Sequence, residues 1–457
     1  MLKMPVIHAK NKPFHPTKLI VLSFLLVIIV GTFLLMLPIS SRRHEFTPLI
    51  TALFTATSAT CVTGLVVVDT YTHWNAFGQL IILALIQIGG VGLVTFASFF
   101  NMAIGKKIGL RTMQLASESV SMGGFDDIKK LLTSIMKICL SFEGAGALLL
   151  MIVFVPKYGF RGIWISIFLS VSAFCNAGFD ILGFEGEFCS LMNYADNPIV
   201  TITIMLLIVC GGLGFVVWND LAQYKKTGKL ILHTKVVLLG TAILIAFGTL
   251  SVLILEWNNP HTLGGLNFFQ KLIRALFQSI TYRTAGFNTI PINEMYSHTK
   301  ILGAAIMFIG AAPGSTGGGI KVTTLMVLLM TVVSVVKNQQ DTIMLKRKVD
   351  KDVVYKSISI SALAGLAVTI TTAVIMYTNN GVRIHGVDAL FEAVSAFATV
   401  GLSAGATLVV NKISLVALII TMFIGRVGPV SFMASLMLGR ESNSKNQVVP
   451  EGKVLVG

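Results

Sequence analysis

Charge is scarce in this chain. Lys, Arg, Asp and Glu make up 12% of its 457 residues, and only 20 acids stand against 35 Lys and Arg. Soluble domains carry roughly 25% charge, so a water-exposed fold is excluded, and a mean hydropathy of +0.82 points the same way. No His, Asp and Glu cluster has ligand spacing, and there is no nucleophile motif, which removes metal centres and hydrolytic chemistry. The five cysteines (Cys61, Cys139, Cys175, Cys189 and Cys210) include no pair at metal-ligand spacing, and four lie in apolar segments as small fillers. The longest polar segments run to about 20–25 residues, too short for a nucleotide-binding domain.

The positive excess does not read as nucleic-acid binding, because the basic clusters lack interleaved aromatics. Lys and Arg instead gather in alternate loops, near 3–18, 106–130, 225–235, 337–356 and 440–453. Glu185, Glu187, Asp196 and Glu256 fall in the intervening loops. This asymmetry puts both termini in the cytoplasm.

What the chain has in abundance is apolar sequence. Runs nearly free of charge lie at 19–37, 77–104, 138–155, 199–218, 236–255, 301–320, 322–336, 357–377 and 413–438. Roughly 20 such residues cross a bilayer core. The first run is too long for a signal peptide, and Leu37-Pro38-Ile39-Ser40 is not a small-residue cleavage site, so it is a retained span. Shorter apolar segments at about 47–60, 161–174, 268–281 and 386–398 suit re-entrant pore helices. Each leads into a glycine: Ser58-Ala59-Thr60-Cys61-Val62-Thr63-Gly64, Ser172-Ala173-Phe174-Cys175-Asn176-Ala177-Gly178, Tyr282-Arg283-Thr284-Ala285-Gly286 and Ser395-Ala396-Phe397-Ala398-Thr399-Val400-Gly401.

The glycines recur at intervals of 114, 108 and 115 residues, and a period that returns four times is architecture. Two spans per copy keep every copy in one orientation around an axis along the membrane normal, whereas inverted repeats need an odd number. The sequence predicts an all-α membrane protein of four tandem span–pore-helix–span repeats. It has eight spans and four re-entrant pore helices, with pseudo-fourfold symmetry around one central pore. The repeats run 1–127, 128–227, 228–346 and 347–440, followed by a C-terminal tail at 441–457.

Four glycine turns on one axis make a ring of backbone carbonyls, and such a ring selects a monovalent cation. The expected ligands are the carbonyls of Val62, Thr63 and Gly64, of Asn176, Ala177 and Gly178, of Thr284, Ala285 and Gly286, and of Thr399, Val400 and Gly401. The third repeat's return span is interrupted by Gly310-Ala311-Ala312-Pro313-Gly314-Ser315-Thr316-Gly317-Gly318-Gly319, which cannot form a regular helix. Lys321 follows Ile320 rather than a glycine, so this is not a phosphate-binding loop. Arg426 lies near the middle of the last span, where a charge costs roughly 2.5–3.5 kcal/mol, and carbonyls of the broken loop are its natural partners. Glu143 is expected to pair with a polar group in the bundle.

This unit, with Arg283-Thr284-Ala285-Gly286-Phe287-Asn288-Thr289, Cys175-Asn176-Ala177-Gly178-Phe179 and Ala312–Lys321, resembles the Trk/Ktr/HKT superfamily of potassium transporters over nearly the whole chain. Length and the lack of extra leading spans set it nearest the KtrB-like membrane subunits. The resemblance implies a potassium uptake pore in the bacterial plasma membrane, with K+ held only at the filter carbonyls. It also implies a gate built from Ala312, Pro313, Gly314, Ser315, Thr316, Gly317, Gly318 and Gly319 with Lys321 and Arg426. Plant HKT members that permeate sodium often carry serine at the first filter glycine; Gly64 is intact, which implies potassium preference. No cofactor is expected in this chain. Nucleotide would sit on a separate cytosolic KtrA-like regulatory ring, for which the basic loops at 105–130, 225–235 and 337–356 are candidate contacts. A homodimer is expected, with the apolar tail packing at the subunit interface. The alternative is a Na+- or H+-coupled secondary transporter; an enzyme lacks paired catalytic groups here.

Overall fold

The computed structural model describes residues 16–92, 128–379 and 384–437. Most of the basic loop at 105–130, the boundary expected after residue 127, the later part of the 77–104 run and the 441–457 tail lie outside these residues.

The first stretch holds α1 (Pro16–Met36), α2 (Leu49–Thr60) and α3 (Ala76–Val91). The second opens with α4 (Ile128–Tyr158), α5 (Phe160–Phe174), α6 (Pro198–Gly212) and α7 (Phe215–Thr227). It continues through α8 (Leu232–Leu255), α9 (Phe268–Thr281), α10 (Ser297–Phe308) and α11 (Val322–Val336). A small antiparallel hairpin of β1 (Ile343–Met344) and β2 (Arg347–Lys348) precedes α12 (Lys351–Thr378). Then come α13 (Gly386–Ala398), α14 (Lys412–Val427) and α15 (Pro429–Met437).

One order thus returns four times: a long apolar helix (α1, α4, α8, α12), a short one (α2, α5, α9, α13), and a third (α3, α6, α10, α14). The four long helices are each long and apolar enough to cross a membrane. Their outer faces suit lipid: on α1, Leu22, Leu26, Ile29 and Phe33 are exposed while Val21, Phe24 and Ile28 are buried. Lipid is as apolar as leucine, so helices associate through close packing and hydroxyl pairs rather than through the hydrophobic effect. Thr371 and Thr421 pair at 2.6 Å and Thr378 and Ser414 at 2.8 Å, joining α12 to α14. The short helices are enclosed toward their C-terminal ends; nearly every residue of α13 from Ala389 to Ala398 is buried.

Asparagine starts three of the four third helices. Asn75, Asn197 and Asn411 each accept hydrogen bonds from the first-turn N–H groups, worth ~1 kcal/mol apiece.

The third helices depart from the sequence expectation, which broke only the third repeat's return span. The run at 199–218 bends by 92° between α6 and α7, at Gly214, whose φ is +90°. The run at 413–438 breaks between α14 and α15 at Gly428 (φ +93°), and α3 ends at Gly92 (φ +88°). These positive φ angles demand glycine. They stop the helix one step after Gly89-Gly90-Val91, Gly211-Gly212-Leu213 and Gly425-Arg426-Val427.

Candidate ion-conducting site

The four short helices end at Thr60, Phe174, Thr281 and Ala398 and deliver their chains to one place. There Gly64, Gly178, Gly286 and Gly401 close a ring. A Cβ on Gly64 would strike the Ala177 carbonyl oxygen. On Gly178 it would lie 2.6 Å from the Ala285 oxygen, and on Gly286 2.7 Å from the Val400 oxygen. On Gly401 it would strike the Thr63 oxygen. Each glycine therefore packs against the carbonyl that precedes the next glycine, and the fourth returns to the first. Eight of the twelve candidate ligands, the glycines with Thr63, Ala177, Ala285 and Val400, are thus brought together, and Val62, Asn176, Thr284 and Thr399 lead directly into them.

The glycines have φ of +91°, +69°, +84° and +91° in chain order. The residues two earlier are also left-handed: Val62 (+58°), Asn176 (+60°), Thr284 (+66°) and Thr399 (+51°). Three of these four are β-branched, for which such angles are rare, and nothing in the residue types announces them. Residues of positive and negative φ thus alternate in all four segments, and a backbone of that kind can turn successive carbonyls to one side, where they replace a cation's water shell.

Hydroxyls on the short helices pin these segments. Ser58 Oγ accepts from Gly64 N and Ser395 Oγ from Gly401 N, both at 3.1 Å. Ser172 Oγ donates to the Phe179 carbonyl at 2.7 Å and Thr281 Oγ1 to the Phe287 carbonyl at 2.6 Å. The serine at the same offset before Gly64, Gly178 and Gly401 was the visible signal for them. The third repeat is tighter. Ala285 N donates back to Thr281 O, four residues away, where Thr63, Ala177 and Val400 donate across five.

Outside the ring lies a cavity of about 310 Å³ lined by all four glycines. The residue two after each glycine also lines it: Val66, Asp180, Asn288 and Ser403. That shared offset is the sequence signal for the wall. Asp69 joins them, accepting from the N–H groups of Tyr71, Thr72 and Phe188 at 2.8–3.1 Å. Below the mouth of the fourth repeat, buried Glu392 accepts from Ala406 N at 3.1 Å and Thr407 Oγ1 at 2.7 Å, fixing the loop after Gly401. Partial burial, with Asp69 nearby, pushes the Asp180 carboxyl up to about 7, against the Leu182 N–H bond that favours its charged form. Asp180 is then protonated, and the cavity less negative, as the pH on its side of the ring falls below that value. Cation entry from that side should drop about two- to threefold between pH of about 8 and about 6. In Asp180→Asn it should be low and flat; initial uptake rates across that range are the check.

On the other side of the ring sits the broken loop between α10 and α11. Its ends pair, Gly310 N donating to Ile320 O at 2.8 Å. It is strung to the break in the second repeat, with Ala312 N donating to Gly212 O at 3.0 Å and Phe215 N to Gly314 O at 3.0 Å. It touches the ring directly. Gly318 N donates to Thr399 Oγ1 at 3.1 Å, and a Cβ on Gly317 would strike Thr284 Oγ1. Asn176, in the amide orientation that satisfies both its ends, donates to Thr316 Oγ1 at 3.2 Å and accepts from Thr284 Oγ1 at 3.3 Å. Lys321 Nζ donates to Gly317 O at 2.6 Å within the loop.

Arg426 joins this assembly from the fourth repeat. Its guanidinium donates to the carbonyls of Thr316 in the loop and Gly89 at the end of α3, and to Gly90 O at 3.3 Å. Arg426 occupies the position that Gly90 and Gly212 hold in the first and second repeats. Glu143 lies elsewhere, on α4, accepting from Gln87 Nε2 of α3 at 3.0 and 3.3 Å. Its approach to the ring is through the Cys175 thiol, 3.9 Å away and one residue before Asn176. Among the described residues no group of three His, Cys, Asp or Glu could hold a metal ion.

Comparison with known proteins gives a consistent picture. The cation transport protein family TrkH matches residues 9–446. The chain is 39% identical to the Ktr system potassium uptake protein B of Bacillus subtilis, covering 97% of each. It is 36% identical to the potassium/sodium uptake protein NtpJ of Enterococcus hirae, covering 98% of each. The crystal structure of the potassium transporter TrkH from Vibrio parahaemolyticus shares the fold, with a TM-score of 0.70, 18% identity and coverage of 95% of this chain and 86% of that one.

Proposed function

This chain belongs to the TrkH family of cation transport proteins, and from that premise we propose that it is the pore-forming membrane subunit of a potassium uptake system. The observation that carries this reading is the closed ring, in which each filter glycine packs on the carbonyl before the next. The repeats at 1–127, 128–227, 228–346 and 347–440 are its four quarters, giving eight spans and four re-entrant pore helices around one axis. K+ passes through carbonyls of the twelve residues from Val62 to Gly401. The loop 310–320, held by Lys321 and Arg426, is the gate below them. A cytosolic nucleotide-binding ring controls that gate, and two copies of the chain form the membrane unit in the bacterial plasma membrane. The name of the Bacillus relative, which speaks of a Ktr system, supports a multi-component assembly.

The test is potassium flux into proteoliposomes holding this chain, with sodium as the competing ion. Potassium-selective flux that collapses in a Gly64→Ser protein is the expected result. Should the chain alone be silent, a Ktr-type cytosolic ring is added to the same vesicles, and silence with the ring present would end the reading. The name of the Enterococcus relative, a potassium/sodium uptake protein, favours a second reading in which sodium is coupled to or shares the pathway. Reversal potentials separate the two: a passive potassium pore follows the potassium gradient alone, and a coupled carrier shifts with sodium.

A further inference from the structure

The residues two before each filter glycine form the ring's inner layer, and all four are fully buried. Each one's side chain meets the gate assembly. Thr399 Oγ1 accepts from Gly318 N at 3.1 Å. Thr284 lies against Gly317 through Oγ1 and against Gly310 through Cγ2. Asn176 reaches Thr316 Oγ1 at 3.2 Å. Val62, the apolar corner, touches Gly89 through Cγ2, and the Gly89 carbonyl shares the Arg426 guanidinium with the carbonyl of Thr316. Three corners thus hold the loop itself, and the fourth holds the helix end that Arg426 clamps to it.

We propose that these four side chains make the inner filter layer and the gate one coupled unit, so that gate position and filter affinity for K+ over Na+ are set together. This rests on the filter and gate assignments above and deepens them. The physical ground is the left-handed backbone at all four positions. β-branched Val62, Thr284 and Thr399 do not hold such angles by their own preference, so their surroundings must hold them. The loop is a large part of those surroundings. When it moves, Thr399 loses the Gly318 N–H and Asn176 loses Thr316, and the carbonyls of those residues are free to turn. Coupling of this kind is reciprocal. An ion that fits the inner layer favours the clamped loop, and a released loop weakens discrimination at carbonyls it never touches.

The experiment is titration calorimetry of the purified full-length chain with K+ and with Na+, which reads filter affinity whether or not the gate conducts. The quantity is the ratio of the sodium to the potassium Kd. In Arg426→Ala that ratio should fall by about threefold. In a Thr399→Val background, where the Gly318 bond is already gone, the same Arg426→Ala change should move it by less than about 1.5-fold. Thr399→Ser, which keeps the hydroxyl, should behave as the wild type, a rescue that a merely structural role for the methyl would not give. Asn176→Ala supplies a second corner should Thr399→Val fail to fold. Equal shifts in both backgrounds, or an unchanged ratio in Arg426→Ala, would overturn the coupling. A Gly286→Ser protein run alongside that keeps the wild-type ratio would overturn the filter assignment itself and the coupling with it.

Discussion

A Gly286→Ser protein is expected to admit sodium. Its sodium-to-potassium permeability ratio should rise about tenfold, equivalent to ~1.4 kcal/mol of lost discrimination. Two costs converge at this position. Gly286 has φ of +84°, which an L-residue reaches only at ~1–2 kcal/mol. A Cβ there would also lie 2.7 Å from the Val400 carbonyl oxygen and 2.9 Å from the Gly178 Cα. The ring must open on two sides to accept serine, and the carbonyls of Ala285 and Val400 move with it. A wider cage coordinates K+ less well and penalises hydrated or displaced Na+ less. Bi-ionic reversal potentials measure the ratio directly, and unchanged selectivity would remove Gly286 from the filter. The third repeat is the most sensitive corner to choose, because Ala285 N closes on Thr281 with one residue less slack than the other three.

Arg426→Ala should raise potassium flux about tenfold in vesicles holding the chain alone. The guanidinium binds the loop at the Thr316 carbonyl and the end of α3 at the Gly89 and Gly90 carbonyls. Hydrogen bonds from a charged donor contribute roughly 1.5–3 kcal/mol each, so its loss unties the loop from two sides. On the proposed path it also removes a fixed cation, which should lower the barrier to another cation. Arg426→Lys should fall between the two, since an ammonium lacks the planar fork that spans carbonyls on separate elements. A thermal melt on the same samples separates a loosened gate from a loosened fold. If flux and its response to the regulatory ring both stay normal, Arg426 does not hold the gate.

The four glycines are readable in the sequence because each follows a short apolar segment at a near-constant period, and the broken loop is readable because Pro313 and five nearby glycines forbid a helix. Arg426 is readable because a charge in a long apolar run needs a partner. The left-handed angles at Val62, Thr284 and Thr399 were hidden, since residue type argues against them and only tertiary enclosure imposes them. The breaks at Gly92, Gly214 and Gly428 were hidden for the opposite reason. Glycine is common in membrane helices as a packing residue, so a lone one carries little weight. Setting the return spans against one another exposes them, because Gly-Gly-Val-Gly, Gly-Gly-Leu-Gly and Gly-Arg-Val-Gly then align. Gly89, Gly211 and Gly425 in that alignment each pack on a carbonyl near the end of a short helix, that of Thr60, Phe174 or Phe397.

The unequal closure of the ring has an evolutionary side. In an assembly of four identical chains, any substitution falls on every corner at once, and an altered pore is tolerated only if all four alterations are. Here a single chain supplies four corners with different residues, so one quarter can drift while three hold. Selectivity can then be retuned in quarter steps, each small enough to survive selection, and the corner with the least slack, at Thr281–Gly286, is where a single step would weigh most.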